Sequence, residues 1–356
     1  MRGPLPTPHG PLTLPAFLPD ATHGVVRAVD SADLEACGVE ALVVNALHLA
    51  TKPGAGAIAS AGGIHAFMNW RGPVLSDSGG FQLYSLATGG AGMGSVSPHG
   101  FTWRTAPGAP KQHLTPEKAI ERQFQLGADL MVCLDYCTHP AAPAEVQRES
   151  VRLTVAWARR CKETFLRLAA TREPRPLLFA VVQGGADPHL RRACALELLE
   201  IGFDGYAFGG WPVSNDGALV EAVAWVREHT PRDRPLHALG IGKPENVVRA
   251  ARMGYDLFDC VIPTRDARHR RLYAATDGLR ELREDGTFYY NLYLQDEKYH
   301  RDHSPVEPGC DCHCCRRYTR AYLYHLFEAG EVLAQRLATI HNLHFYARLM
   351  ARLRAG

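Results

Sequence analysis

No hydrophobic run in the 356 residues approaches the roughly 20 consecutive apolar positions that a membrane-spanning helix requires. The opening stretch, MRGPLPTPHGPLTLPAF, is rich in proline and lacks the apolar core of a secretory signal, so the expected compartment is the cytoplasm, with no membrane partner. A dominant charge is missing too. Lys and Arg number 39 against 37 Asp and Glu, a net charge of +2, so any anion-binding surface must be a local patch. No Gly-rich dinucleotide fingerprint follows the first apolar run, and Gly240 with Gly242 forms only a lone GxG pair. Cys37, Cys133, Cys137, Cys161, Cys194 and Cys260 are scattered through mostly apolar stretches, as expected of buried reduced thiols rather than a disulfide framework. Hydrophobic residues make up 46% of the chain and charged residues 21%, which suits a substantial core in one large domain or two moderate ones.

The remaining cysteines are concentrated. The run CDCHCC places Cys310, Cys312, Cys314 and Cys315 within six residues, too tightly for disulfides, and His341 and His344 follow after an arm of helix-forming residues. Three soft thiolates and one neutral imidazole suit a tetrahedral zinc ion with no open position, hence a structural site. The expected ligands are Cys310, Cys312, Cys315 and His341, with Cys314 and His344 as competitors. A short Cys-rich loop buries too little apolar surface to hold itself, so one Zn2+ per chain should staple a small unit to a larger body.

That body is legible as eight short apolar runs: residues 15–21, 41–47, 72–80, 130–137, 177–185, 205–210, 235–242 and 257–264. Amphipathic stretches with helix-start signals lie between most of them: SADLEACG with Ser31 as a cap, LTPEKAIERQFQLGA with Thr115 before Pro116, DPHLRRACALELLEIG, and KPENVVRAARMG. Near-continuous apolar strands alternating with helices predict a parallel sheet buried on both faces, and eight such units predict a (β/α)8 TIM barrel. We expect residues 1–270 to form the catalytic barrel. Residues 271–356 should carry the zinc-binding subdomain and the C-terminal helices that complete the barrel. Asn45, Asp77, Asp135, Gln183, Gly209, Gly210, Gly240 and Asp259 all fall at or near the C-terminal ends of strands, which in a barrel converge on one face. Three carboxylates meeting in one cleft raise one another's pKa values, an expense tolerated mainly for function.

With these residues in place, the chain resembles the tRNA-guanine transglycosylase (queuine tRNA-ribosyltransferase) family over nearly its whole length. The resemblance runs through FMNWRGPVLSDSGGFQLYSL (67–86), HLTPEKAIERQFQLGADLMVCLDYC (113–137), FAVVQGG (179–185), GFDGYAFGG (202–210), the stretch 238–268 with FDCVIPTR, CDCHCC, and TIHNLHFY (339–346). DSGGFQ and FDCVIPTR together are very specific. The family's Cys-x-Cys-x2-Cys and distant HN pair select Cys310, Cys312, Cys315 and His341 and leave Cys314 and His344 as bystanders. The resemblance implies exchange of the wobble guanine in a tRNA anticodon loop for a 7-deazaguanine base, preQ1-like or queuine, by a cytoplasmic homodimer. It implies Asp259 as the nucleophile, forming a covalent aspartyl-ribosyl intermediate, and Asp77 as the acid/base. Asp135 would accept from the guanine edge, Gln183 and the Gly210 N–H would hold its carbonyl oxygen, Phe81 and Leu239 would sandwich the base, and Asn45 would orient Asp77. Ser78, Gly209 and Gly240 complete the substrate-binding set. The basic run Arg265, Arg268, Arg270 and Arg271 matches the segment that holds the anticodon loop, implying phosphate contacts. Tyr273, Phe288, Tyr289 and Tyr290 could stack on flipped-out bases; we read them as subdomain core.

Three departures bear on the substrate. Where bacterial members typically read LAVGE, this chain reads Trp211-Pro212-Val213-Ser214-Asn215, without the glutamate. Strand one offers Asp20, either a partner for a cationic substituent on the base or a turn aspartate. The segment before LTPE is replaced by WRTAPGAPKQ (103–112), and position 136 is Tyr136. Cys137 and Val213 match bacterial rather than queuine-using eukaryotic members. Two other readings remain: a relative acting on DNA or another RNA, and a non-catalytic partner subunit, which retention of Asp77, Asp135, Gln183 and Asp259 opposes.

Overall fold

Each of the eight apolar runs contains one strand of a parallel barrel in the computed structural model, which describes residues 3–88 and 94–356. In chain order the strands are β1 (Ala16–Pro19), β2 (Leu42–Asn45), β3 (Val74–Asp77), β4 (Gly94–Ser97), β5 (Gly100–Trp103), β6 (Gln112–Leu114), β7 (Leu130–Val132), β8 (Leu177–Val182), β9 (Gly205–Phe208), β10 (Leu236–Leu239), β11 (Leu257–Cys260), β12 (Arg271–Ala275) and β13 (Tyr289–Tyr293). The barrel order is β1-β11-β10-β9-β8-β7-β3-β2. The seam between β1 and β2 is closed by a single parallel bridge, Asp20 to Val43, where the Ala21 N–H donates to the Val43 carbonyl at 2.7 Å. The expected (β/α)8 architecture is therefore present. Between β3 and β7 sits an antiparallel sheet of β4, β5 and β6, which is not among the strands expected from the sequence.

The helices begin where side-chain oxygens can cap them. Thr115 accepts from the Lys118 N–H ahead of Pro116–Leu126, and Asp187 caps Pro188–Ile201. The expectation for Ser31 is corrected: Asp30 is the cap of Ser31–Ala36, in a reciprocal box with Asp33, while the Ser31 hydroxyl donates to the Met68 carbonyl. A carboxylate one residue earlier is already in extended geometry and reaches the Asp33 N–H, so the serine is left for a tertiary contact.

Inside the barrel, Leu18, Val43, Leu75, Val132, Val181 and Leu257 pack as one buried layer, joined by Leu12 and Leu14 from the N-terminal arm. That arm, a hairpin bridged at Leu5 and Leu12, plugs the end of the barrel from which the strands start. Asp129 anchors it. Its Oδ1 accepts from the His9 backbone N–H at 2.9 Å and lies 2.8 Å from His9 Nδ1, and its Oδ2 accepts from the Val74 N–H at 2.8 Å and lies 2.9 Å from His65 Nε2. At the chain's other end the helix Val332–Ala355 lies against the barrel wall. Asn342 Nδ2 donates to the carbonyls of Pro263 and Arg271, and Arg354 Nε donates to that of Pro15. Tyr273 and Phe288 are buried and Tyr289 half-buried, as expected of subdomain core, whereas Tyr290 is exposed.

Candidate active site

Strand alternation aims the chemistry. Leu75, Val181 and Leu257 fill the barrel interior, so the residues two further on, Asp77, Gln183 and Asp259, face inward at the open end. Asp77 and Asp259 meet at a cleft of about 470 Å³, with Gln183 buried beside it. Of the residues expected at the site, Asn45, Asp77, Phe81, Asp135, Gly209, Gly210, Leu239, Gly240 and Asp259 line it. Ser78 and Gln183 are buried behind the wall. A larger depression of about 710 Å³ lies elsewhere, beside Cys37, Asp311 and His344, where His344 Nε2 lies 2.7 Å from Asp311 Oδ1.

Asp77 is held by Asn45, whose Nδ2 donates to Asp77 Oδ2 at 2.7 Å and to Gln82 Oε1 at 3.1 Å. Asn45 is fixed in turn because its Oδ1 accepts from the N–H groups of Leu47 and His48, capping the helix that follows β2. Desolvation, reinforced by the negative charge of Asp259, pushes Asp77 up to about 6 against hydrogen bonds from the Gly79 and Ser78 backbone. Gly79 permits that turn. Its φ is +90°, and a Cβ there would sit 2.4 Å from Leu47 Cβ.

Asp259 is fixed through one oxygen. Oδ1 lies 2.8 Å from His237 Nε2 and accepts from the Gly240 N–H at 3.3 Å. His237 is fully buried on β10, two residues before Leu239 and so on the same inward face. Sequence reasoning missed it, although that period-two spacing from Leu239 was available. Across the cleft Asp135 Oδ2 accepts from Gln183 Nε2 at 2.6 Å. Burial pushes Asp135 up to about 7; the Gln183 bond opposes the shift and the charge of Asp77 adds to it. Gly209 must lack a side chain, since a Cβ would meet Gln183 Nε2 at 2.5 Å.

Trp211 forms an aromatic rim over the cleft, its ring centroid 5.3 Å from Phe81, 5.2 Å from His139 and 6.0 Å from Tyr84. Asp20 stands at the opposite wall, and its Oδ1 accepts from both the N–H and the hydroxyl of Thr22. The four arginines divide. Arg265 is half exposed on the helix Ile262–Arg268, and Arg268 donates to the Thr264 carbonyl at 2.8 Å. Burial, then the neighbouring charge of Arg27, holds Arg268 below its ordinary pKa, so Arg27 joins this basic edge. Arg270 is committed to Glu328 and the Phe327 carbonyl, and Arg271 lies 3.4 Å from Asp266 Oδ2.

Beyond β13, Cys310, Cys312, Cys315 and His341 are buried with donor atoms within 4.8 Å of one another. The sulfurs lie 3.9, 3.6 and 3.3 Å from His341 Nδ1. A tetrahedral zinc with ordinary Zn–S and Zn–N bonds has an S–N edge of roughly 3.6 Å, so the donors fit such an ion. His341 Nε2 lies 2.6 Å from the Tyr273 carbonyl, which orients the ring and turns Nδ1 to the sulfurs. Cys314 is buried outside the set, and His344 pairs with Asp311 and the Cys37 carbonyl. This cluster could hold a metal ion.

Comparison with known proteins adds an independent line. The family model described as queuine tRNA-ribosyltransferase matches residues 2–356. A queuine tRNA-ribosyltransferase of Psychrobacter sp. is 38% identical over 355 residues, covering 99% of this chain and 88% of that protein. Proteins of the same name from Actinobacillus pleuropneumoniae serotype 3 and Syntrophobacter fumaroxidans are each 40% identical, the first over 96% of this chain and 84% of its own length, the second over 99% and 89%.

Proposed function

The chain belongs to the queuine tRNA-ribosyltransferase family, and from that premise we propose that it exchanges the wobble guanine of tRNA for a 7-deazaguanine base through a covalent aspartyl-ribosyl intermediate. The observation that carries this reading is one cleft in which Asp77 and Asp259 face each other's charge beside an Asp135–Gln183 pair suited to a guanine edge. The unoccupied oxygen of Asp259 attacks the ribose anomeric carbon and the bond to guanine breaks. Asp77, raised to about 6 so that a protonated fraction persists toward neutrality, gives its proton to the departing base, and its carboxylate then takes one from the incoming base. The new base displaces Asp259, and two displacements at one carbon retain the original stereochemistry. Asp135 accepts the N1–H and 2-amino protons, while Gln183 and the Gly210 N–H take the carbonyl oxygen. Adenine would strand these groups without partners, which is why such a site rejects it. Phe81 and Leu239 flank the base.

Arg265, Arg268 and Arg271, with Arg27, are the arginines that meet anticodon phosphates, while Arg270 is held by Glu328 and the Phe327 carbonyl. The thiolate–imidazole cluster holds one structural zinc per chain, which supplies no chemistry beyond stapling β12, β13 and the final helix together. Exchange of radiolabelled guanine into bulk tRNA, DNA and anticodon-mutant tRNA tests the reading. Label entering only tRNA with an intact wobble guanine is expected. Label entering DNA favours the relative acting on another polymer, and none entering any of them favours a non-catalytic subunit. Sedimentation tests the homodimer.

A further inference from the structure

His237 is a buried group whose chemistry the exchange reaction has not yet used. Its ring is fully enclosed in the barrel, and Nδ1 has no hydrogen-bond partner. A buried polar atom without a partner destabilises the fold, and an apolar side chain of similar size would avoid that loss. The compensation is at the other nitrogen. Nε2 lies 2.8 Å from Asp259 Oδ1, and because an ionised carboxylate only accepts, Nε2 must carry the hydrogen. The same Oδ1 also accepts from the Gly240 N–H at 3.3 Å, so both donors engage one oxygen and leave Oδ2 to the cleft. The ionisable groups facing the ring are Asp259, on the neighbouring β11, and Asp77, on β3 across the barrel; proximity to His237 favours the charged form of Asp77. On its other side β10 pairs with β9, where Ala207 stands opposite His237.

We propose that His237 is a positioning residue for the exchange reaction: it pins Asp259 by one oxygen and directs the other at the ribose. This rests on the reading of Asp259 as the nucleophile. A carboxylate held at one oxygen loses its rotational freedom about χ2, and its free lone pairs point into the cleft rather than at the wall. The ring is fully buried and already lies 2.8 Å from Asp259 Oδ1, so the contact is part of the resting structure.

The test compares His237→Leu, His237→Gln and wild-type protein by rapid-quench formation of the denaturation-resistant tRNA adduct, with tRNA affinity and thermal midpoint measured alongside. His237→Leu should slow adduct formation at saturating tRNA by about tenfold to a hundredfold, the worth of one charge-assisted hydrogen bond, with tRNA affinity unchanged. His237→Gln, which keeps an N–H donor, should restore much of that rate. A wild-type rate in His237→Leu overturns the proposal. So does an equal loss in both variants accompanied by weaker tRNA binding or a lower midpoint, which would make the ring a packing element. A wild-type protein that exchanges guanine yet forms no adduct, with exchange surviving Asp259→Asn, would instead remove the premise about the nucleophile.

Discussion

Replacing Asn45 with aspartate separates its two jobs. The side chain's Oδ1 caps the helix after β2 by accepting from the Leu47 and His48 N–H groups, and aspartate caps as well as asparagine. Its Nδ2, however, donates to Asp77 Oδ2 at 2.7 Å, and aspartate offers no donor there, only a second negative charge. The lost contact is a hydrogen bond to an ionised carboxylate, worth about 1.5–3 kcal/mol. At 1.36 kcal/mol per unit, Asp77 should titrate about one to two pH units above its already raised value of about 6. The sign differs between the half-reactions. Guanine expulsion needs protonated Asp77, so its fall with rising pH should move to higher pH. Incorporation of the second base needs the carboxylate, so its rise with pH should be displaced upward too, and it should slow at neutrality. Single-turnover adduct formation reads the first, and chase of preformed adduct with excess base reads the second. The thermal midpoint should stay close to wild type, whereas Asn45→Ala, which removes the cap, should lose about 1 kcal/mol of stability. Unshifted pH profiles in Asn45→Asp would refute the assignment of Asp77 as the acid/base.

Four further outcomes are expected. Metal analysis should find one zinc per chain, lost in Cys312→Ser and kept in Cys314→Ser; since structural zinc contributes about 10–16 kcal/mol in finger peptides, chelation should unfold the region beyond β13. Asp129 is pushed up by burial, but hydrogen bonds from His65, the Val74 N–H and His9 outweigh this and hold its carboxyl below the usual range. Its stabilisation is therefore present above the ordinary carboxylate pKa and lost as pH falls through the depressed one. Asp129→Ala should cost about 3–5 kcal/mol in urea unfolding, and a loss under 1 would contradict the anchor role. Because Asp135 sits at about 7 when the cleft is empty, guanine affinity by calorimetry should weaken by up to about tenfold per pH unit below 7, with proton release on binding above background. Asp20→Asn keeps an oxygen for Thr22 but removes the charge; aminomethyl-7-deazaguanine should then bind about tenfold to a hundredfold more weakly while guanine is unaffected, and equal losses would make Asp20 a turn residue alone.

The barrel was legible because its strands are buried on both faces and read as unbroken apolar runs. β4 and β6 were not, since GSVS and QHL carry neither an apolar run nor a clean alternation and depend on pairing with β5, whose short Phe-Thr-Trp alternation went unread. Local spacing also located the thiolate cluster but left its members open. Cys314 and Cys315 are adjacent, and one residue on a helix turns the side chain by about 100°, so one sulfur joins His341 while its neighbour is buried outside the set. His341 and His344 share a helix face, and what separates them is Asp311, which occupies His344.

The harder class is residues whose role depends on partners distant in sequence. Arg270 reads as a free cation until Glu328 and the Phe327 carbonyl are found beside it, so a basic run overstates the charge available to a phosphate. His237 errs the other way. In PLHALGIG it is one polar residue in an apolar run, and nothing local distinguishes a buried structural imidazole from one that grips a carboxylate 22 residues on. The barrel makes the difference, because parallel pairing sets His237 beside Leu257 and Leu239 beside Asp259, and the staggered inward side chains of β10 and β11 then interleave. That register depends on the apolar faces of the strands, and a one-residue slip would turn Asp259 away from the cleft. The hydrophobic packing that was easiest to see in the sequence is thus what aims the carboxylate that was hardest to place.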